Sequence, residues 1–315
     1  MPESNTLNSD KLSDRQGSLP RLFLLAGTLL LATTLSIPMA LGPALAWSDD
    51  SKPATAEQKK VKRLLALSQS EAARYTIFRD SARQEKLELR KEPVYVWTNV
   101  LRNGGQNGAV FVWTYHGRPE VVGSFHSNAA YNEPGKRAVT HELHTLSSEI
   151  LYPEREGPHR WQPKAGVALK PVPDAAKPAD SPRQRMIQMR EIIRKFSAHS
   201  IDVEKQTWQL RVLTEPLIRY QSTDSKVIDG ALFAFVTSAG TDPEVIILLE
   251  AREGETGPAW RYAVCRFSDL DLYVKHKDVE IWTSIRGGEN VQAHDPQHLY
   301  RLIFDRSIDE LPDEP

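Results

Sequence analysis

The sequence contains a single cysteine, Cys265, among 315 residues. One thiol excludes an intramolecular disulfide and any zinc site built from several cysteines. Two interpretations of Cys265 remain: a small buried residue, or a thiol that pairs with a second chain. Residues 262–265 have the composition of a strand, and free cysteines are commonly buried. The sequence therefore favours the buried position.

The chain also lacks an excess of charge of either sign. It has 40 basic and 41 acidic residues, which give a formal net charge of −1. Proteins that bind nucleic acid or anionic membranes usually carry a basic excess or stripe, so we expect no nucleic-acid partner. The apolar content of 40% and charged content of 26% are ordinary for a globular protein. The length fits one large domain or two small ones.

Common catalytic signatures are missing as well. No Gly-x-Ser-x-Gly nucleophile elbow is present. The glycine-rich residues 103–108 lack the lysine and helix of a phosphate loop, which predicts a turn. His141 and His144 flank Glu142 at a spacing of three, whereas the zinc-protease helix needs four. On a strand these two histidines point to opposite faces. The sequence therefore predicts no metal site and leaves any cofactor open.

The amino-terminal region has the order of an export signal. Basic residues precede residues 22–46, which contain no charge and end with small residues at Ala44 and Ala46. This pattern is typical of a secretory signal cleaved after Ala46. The alternative is an uncleaved anchor, because 22–46 is long enough to span a membrane. Either interpretation predicts an exported protein, periplasmic or extracellular in one case and membrane-anchored in the other.

The rest of the chain predicts two similar halves. A helix over 56–90 precedes strands near 94–97, 109–114, 120–125 and 137–144, and a second helix near 186–196 precedes strands that include 259–267 and 279–283. Seven prolines in 153–182 indicate a stiff linker. The expected organisation is a signal or anchor at 1–46, a first repeat at 47–152, a linker at 153–182, a second repeat at 183–285 and an extension with a frayed acidic tail at 286–315.

Ordered landmarks recur in the two halves. Pro93 and Gly108 are 15 positions apart, and Pro216 and Gly230 are 14 apart. Each glycine opens a strand, and a Pro-Glu-Val segment follows. We therefore predict an α+β fold of two tandem helix-plus-antiparallel-meander repeats, packed into one larger sheet or a barrel-like core. The alternative is that two unrelated meanders share hairpin residues.

Few side chains qualify for a functional site. His141, Glu142 and His126 are the weak catalytic candidates, because they lie on neighbouring predicted strands. An aromatic-lined pocket is the ligand-binding candidate, with plain core packing as its alternative. Its residues are Trp97, Trp113, Phe111 and Tyr95.

Three segments also resemble a known group of sequences. They are GAVFVWT at 108–114 with GRPEV at 117–121, HELHTLS at 141–147, and DGALFAFV at 229–236 with GTDPEV at 240–245. Over roughly residues 55–285 the chain is similar to an uncharacterised family of exported bacterial proteins. The resemblance implies one recurring unit rather than a fusion. It carries over no catalytic residue, because that family has no assigned activity.

The sequence thus favours a non-catalytic exported module that binds a small molecule or an envelope protein. The alternative is a hydrolase or metal-assisted enzyme that uses His141 and nearby carboxylates. A third interpretation is a purely structural envelope protein. If residues 22–46 stay uncleaved, the membrane is a further partner.

Overall fold

The computed structural model describes residues 55–100, 105–164, 166–224, 226–238, 240–286 and 293–310. The apolar segment and the cleavage positions Ala44 and Ala46 lie outside these residues. The chain from Pro53 onward forms one compact unit. Within its described part, none of the helices has both the length and the apolar character that crossing a bilayer requires.

The first half is a helix followed by six strands. Thr55 caps the helix through a reciprocal pair of hydrogen bonds with Gln58. The elements are α1 (Ala56–Ala73), β1 (Thr76–Phe78), β2 (Glu88–Leu89), β3 (Tyr95–Asn99), β4 (Gln106–Tyr115), β5 (Arg118–Ala129) and β6 (Lys136–Thr145). The strands predicted between 94 and 144 are confirmed. The helix predicted to reach residue 90 is wrong beyond Ala73, because Tyr75, Ile77 and Phe78 favour a strand.

The proline-rich segment is attached to the fold rather than free. A short strand lies at its start, β7 (Tyr152–Glu154), and another lies within it, β8 (Lys170–Pro171). They pair with β1 and with a strand of the second half, respectively. Trp161, Val167 and Val172 of this segment are buried. Their burial fixes the segment against both halves, which a simple extended linker does not predict.

The second half has the same kind of elements. Its helix α2 (Pro182–Ile193) is capped by Ser181 and begins with a proline, which suits a first helical turn. The strands of this half are β9 (Phe196–Ile201), β10 (Thr207–Val212), β11 (Ile218–Ser222), β12 (Val227–Thr237), β13 (Pro243–Arg252), β14 (Ala259–Arg266), β15 (Asp271–His276) and β16 (Val279–Ser284). One more strand, β17 (Tyr300–Asp309), follows in the carboxyl-terminal region. Cys265 is fully buried in β14, as expected.

The described part of the chain is mostly β, with two curled sheets shaped like half-barrels. The six-stranded sheet has the order β17-β6-β5-β4-β2, and β3 also pairs with β4. The nine-stranded sheet has the order β16-β15-β9-β10-β12-β13-β14-β8, and β11 also pairs with β12. Among the described strands the two large sheets share no ladder, so the halves do not form the single continuous sheet that was one of the two predicted forms.

Alternate residues of β4 belong to different cores. Phe111 and Trp113 pack beneath α1. Val110 and Val112 instead contact apolar residues of β12 and β13 in a core shared by the two sheets. Burial of each such side chain contributes about 1.5–3 kcal/mol. The six-stranded sheet is therefore covered on both faces over part of its area.

The carboxyl-terminal region contributes the strand β17, which includes residues 305–309 of the acidic segment that we expected to be frayed. β17 pairs with β6 along its whole length, with Leu302 opposite Glu142 and Asp309 opposite Lys136. The side chain of Asp305 is only 5% exposed. This pairing covers the free edge of β6, a common way to protect an edge strand.

Candidate functional site

A cleft of about 1160 Å³ opens on one face of the six-stranded sheet. In the ladder between β5 and β6, His126 lies opposite Thr140 and Ser124 lies opposite Glu142. Side chains two positions apart on a strand share a face. The register therefore places His126 and Glu142 on the same face as diagonal neighbours, a relation that typically separates Cα atoms by about 7–8 Å. Both side chains line the cleft.

Loops of the nine-stranded sheet form the opposite wall. Asp202 organises the β9–β10 connection, since its carboxylate accepts hydrogen bonds from the backbone of Glu204 and Gln206. Its second oxygen accepts from the indole of Trp208 at 2.9 Å. The segment after β14, with Phe267 and Asp269, completes this wall. The cleft thus depends on side chains that are distant in sequence.

The cleft is acidic. Among the described residues that line it, none is a lysine or an arginine. The six carboxylates of the lining are Glu133, Glu142, Asp202, Glu204, Asp242 and Asp269. A concave surface with charges of one sign focuses the electrostatic potential and attracts ions of the opposite sign.

His126 lies recessed in this cleft. The residue is 9% exposed, and its ring centroid is 5.3 Å from that of Trp97. Its Nδ1 atom is buried without a hydrogen-bond partner among the described residues. Burial, with a smaller contribution from His141, lowers the pKa of His126 to about 3. The ring is therefore neutral at physiological pH and carries an unused polar atom, which is unusual for a buried group.

The carboxylate of Glu142 is oriented by a hydrogen bond from the neighbouring strand β17. The buried hydroxyl of Tyr300, on β17, donates a hydrogen bond of 2.7 Å to Oε1 of Glu142. Burial and the adjacent Glu142 carboxylate raise the pKa of Tyr300 well above its usual value, so the phenol remains a donor. Glu142 is thus an oriented hydrogen-bond acceptor on the cleft floor.

Two aromatic side chains stand at the rim. Tyr131 is 90% exposed and Phe304 is 64% exposed, and both line the cleft. Exposed aromatic groups beside a recessed polar floor are typical of binding surfaces.

His141 faces the other side of the same strand, beneath α1. Its ring is completely buried, and Nε2 lies 3.0 Å from Oε2 of Glu71. Nδ1 accepts from the hydroxyl of Tyr75 at 2.9 Å when Nε2 carries the proton. Burial lowers the pKa of His141, although the hydrogen bond to Glu71 partly opposes this effect. Both ring nitrogens are engaged, and the structure separates His141 from His126 and Glu142.

Arginines surround the acidic groups beside His141. Arg306 donates to both carboxylate oxygens of Glu71, at 3.0 and 2.5 Å, and Arg74 donates at 2.6 Å. Asp305 accepts from Arg74, Arg306 and Arg155. Burial opposes ionisation of Glu71 and Asp305. Hydrogen bonds from His141, Arg306 and Arg74 nevertheless hold the pKa of Glu71 below its ordinary value, and those from the three arginines do the same for Asp305.

Glu71, His141 and Asp305 are also the one group of three potential metal ligands found among the described residues. Three guanidinium groups already compensate the two carboxylates. A divalent cation would raise the net charge of this buried cluster to about +3 at a high desolvation cost. The charge balance therefore favours an ion-pair network over a metal centre.

The structure divides the four aromatic candidates. Trp97 lines the cleft, and its indole donates a hydrogen bond of 3.1 Å to Ser124. Phe111 and Trp113 are 1% exposed in the core beneath α1. Tyr95 is half-buried against the core shared by the two sheets. These four residues do not line a common pocket. The register places Tyr95 and Trp97 on the same face as Val110, whereas Phe111 and Trp113 point to the other face.

Several residues of the cleft and of the network were not among the sequence candidates. Asp242, Glu204 and Asp269 lie in turns, where acidic residues are ordinary. Tyr300 and Asp305 lie in a segment with an ambiguous pattern. The acid-rich turns were the available signal, but only the folded chain brings them together.

A comparison with protein-family models, with curated proteins and with solved structures found no match for this chain.

Proposed function

We propose that this chain is an exported binding protein whose cleft holds a small organic cation. The observation that carries the proposal is the wall of the cleft, which six carboxylates and His126 line without a lysine or arginine among the described lining residues. His126 supplies a second, independent indication, since it is nine-tenths buried with an unpartnered nitrogen.

The dimensions suit a ligand of this class. Ligand pockets usually enclose about 300–1,000 Å³, and this cleft, with about 1160 Å³, is somewhat larger than that and has room for a small organic cation. Ammonium or guanidinium groups would pair with the carboxylates, Glu142 at the floor and Glu204 at the rim. Tyr131 and Phe304 would cover the cation or its carbon chain, because aromatic faces attract cations.

Acid–base catalysis fits the cleft less well. A general acid or base works best with a pKa near the working pH, and the pKa of His126 is about 3. A hydrolase that uses His141 with nearby carboxylates is also the weaker alternative, because the ring is fully buried and both nitrogens have partners. Binding an envelope protein through the same cleft is a further outcome for the experiment below.

Isothermal titration calorimetry with spermidine tests the proposal. We expect saturable one-to-one binding that weakens as salt rises, because salt screens the carboxylates. Glu142→Gln should weaken binding about ten- to hundredfold, as expected for the loss of a charged hydrogen-bond partner. Glu204→Gln should have a smaller effect at the rim.

The matched control is Glu253→Gln, which removes an exposed carboxylate outside the cleft. It should leave spermidine affinity unchanged. Equal weakening by Glu253→Gln and Glu142→Gln would indicate nonspecific attraction and contradict the proposal. Saturable binding of a neutral sugar such as maltose, without any response to spermidine, would contradict the cationic ligand class.

Export is part of the proposal and has its own test. Mass spectrometry of the protein recovered from the cell envelope should find Trp47 as the first residue if the signal is cleaved after Ala46. An intact Met1 in the membrane fraction would support the anchor, and recovery of the protein only in the cytoplasm would contradict export.

The internal duplication also belongs to this proposal. Matching strand order supports it, since β2-β4-β5-β6 corresponds to β10-β12-β13-β14, and both β3 and β11 pair with the strand that follows them. Backbone hydrogen bonds recur at corresponding positions. The pairs are Val94 to Val110 with Leu217 to Leu232, Arg90 to Val112 with Leu213 to Ala234, and Leu146 to Glu120 with Phe267 to Glu244.

A further inference from the structure

A second pocket, of about 680 Å³, lies where α1 ends. Its wall is formed by Ala73 at the end of α1, the C-cap residue Arg74, Thr76 of β1, Arg83, and residues 153–156 and 159–162. None of the residues that line this pocket lines the acidic cleft. The pocket adjoins the buried network of Glu71 and Asp305, because Arg74 and Arg155 contribute to both.

This network carries more positive than negative charge. Arg74, Arg155 and Arg306 supply three positive charges, and Glu71 and Asp305 supply two negative charges. His141 adds no charge in its neutral form, which burial favours. The network therefore carries one more positive than negative charge. The side chains of Arg74 and Arg306 are 33% and 41% exposed and reach solvent, whereas that of Arg155 is buried. Buried charge is costly unless it is fully compensated.

Arg155 is the most buried of the three arginines. Its side chain is 4% exposed, its Nη2 atom donates to Asp305, and its guanidinium lies 5.4 Å from the centroid of the Tyr75 ring. Its Nε and Nη1 atoms are buried with no hydrogen-bond partner in the described residues. A buried guanidinium with unused donors is expensive, and these donors belong to a side chain that lines the pocket.

The rest of the pocket wall is also mostly basic. Arg160 and His159 line the pocket, and Arg83 pairs with Glu154 at 2.5 Å. Glu156 is the other carboxylate of the lining. Counted over the lining, four arginines face two glutamates.

We infer that this pocket binds an oxyanion, a phosphate or sulfate group, with Arg155 and Arg160 as its main donors. Arginine suits such groups because its planar guanidinium donates several charged hydrogen bonds. The anion would supply the counter-charge that the buried network lacks. This site does not depend on the cation proposed for the cleft.

Calorimetric titration of the full chain with inorganic phosphate, sulfate and glycerol 3-phosphate, at constant ionic strength set with chloride, tests the inference. We expect one site per chain and a melting temperature that rises with ligand concentration. Tighter binding of glycerol 3-phosphate than of inorganic phosphate would identify an organic ester as the source of the group. The reverse order would identify the free anion.

Two variants and one control make the result decisive. Arg155→Gln should weaken phosphate binding about ten- to hundredfold. Arg160→Gln removes an exposed side chain and should also weaken binding, which keeps the test valid if Arg155→Gln fails to fold. Arg183→Gln removes an exposed arginine on α2, outside the pocket, and should change nothing. Phosphate affinity equal in Arg160→Gln, Arg183→Gln and the native chain, or no phosphate binding at all, would overturn the inference.

Discussion

At the scale of single residues, neighbours in sequence have separate environments. His141 and Glu142 are adjacent, yet one lies in an ion-pair network beneath α1 and the other on the floor of the acidic cleft. Strand geometry explains the separation, because successive side chains point to opposite faces. The sequence predicted the strand. It could not show which face α1 covers. His141 was therefore grouped with Glu142 and His126, although the structure places it on the opposite face from them.

The buried histidines predict acid sensitivity. Burial lowers the pKa of His144 to about 4 and of His126 to about 3, and it also lowers that of His141. In the unfolded chain each ring takes up a proton near pH 6.5. The contribution of these histidines to stability is therefore complete above about pH 6.5. It is lost as the pH falls from there toward their pKa values in the folded state. Each histidine should cost about 1.4 kcal/mol per pH unit in that window.

Urea unfolding between pH 7.5 and pH 5 measures this dependence. The range avoids the titration of Glu71 and Asp305, whose lowered pKa values remove stability only at more acidic pH. His144→Gln keeps a donor for the carbonyl of Thr145, which His144 contacts at 2.6 Å. The variant should reduce the pH dependence of the free energy of unfolding by about 1.4 kcal/mol per pH unit, the contribution of one histidine. A free energy of unfolding that stays constant from pH 7.5 to pH 5 would contradict the prediction.

At the scale of elements, paired glycine and aromatic residues fix the strand registers. Trp97 on β3 lies opposite Gly108 on β4, and Tyr220 on β11 lies opposite Gly230 on β12. A Cβ atom at Gly108 or Gly230 would lie 2.5 Å from the facing aromatic ring. The glycines thus leave room for rings that cover the strand.

Gly108→Ala and Gly230→Ala should each destabilise the protein by about 1–3 kcal/mol, the usual cost of overpacking. Gly254→Ala, in the β13–β14 connection, is the control, since its nearest neighbour is a single backbone oxygen at 3.3 Å. Urea denaturation compares the three variants. Similar costs at 108 and 230 are expected from the proposed duplication. A large cost at only one of them would count against equivalent roles.

The elements also show where sequence patterns stop being informative. Turn residues and alternating apolar residues predicted β4 and β5 well, because both signals are local. The predicted helix extended too far, because Tyr75 and Phe78 fit the helical spacing of three or four and also fit a short strand. β17 had no clear pattern, and its position beside β6 depends on contacts across more than half the chain.

At the scale of the whole molecule, a buried charged network joins the two sheets. Arg118 on β5 donates to Oε1 of Glu250 on β13 at 2.8 Å and to Glu120 at 3.0 Å. Tyr220 donates to the same oxygen of Glu250 at 2.6 Å. Although burial opposes it, the charge of Glu250 raises the pKa of Arg118. The same interface contains apolar residues of both sheets, among them Val110 on β4 and Leu248 on β13.

Because they share this core, the two sheets should unfold together. Hydrogen exchange followed by mass spectrometry should give amides of β5 and β13 the same free energy of opening, as expected for one cooperative unit. Arg118→Met leaves Glu120 and Glu250 with fewer partners in a buried site and should lower both values by about 3–5 kcal/mol. Adding Glu250→Gln should restore part of that loss, because the two residues are coupled. If Arg118→Met lowered protection in β5 and left β13 unchanged, the sheets would be independent folding units, and the acidic cleft between their loops would lose its rigid second wall.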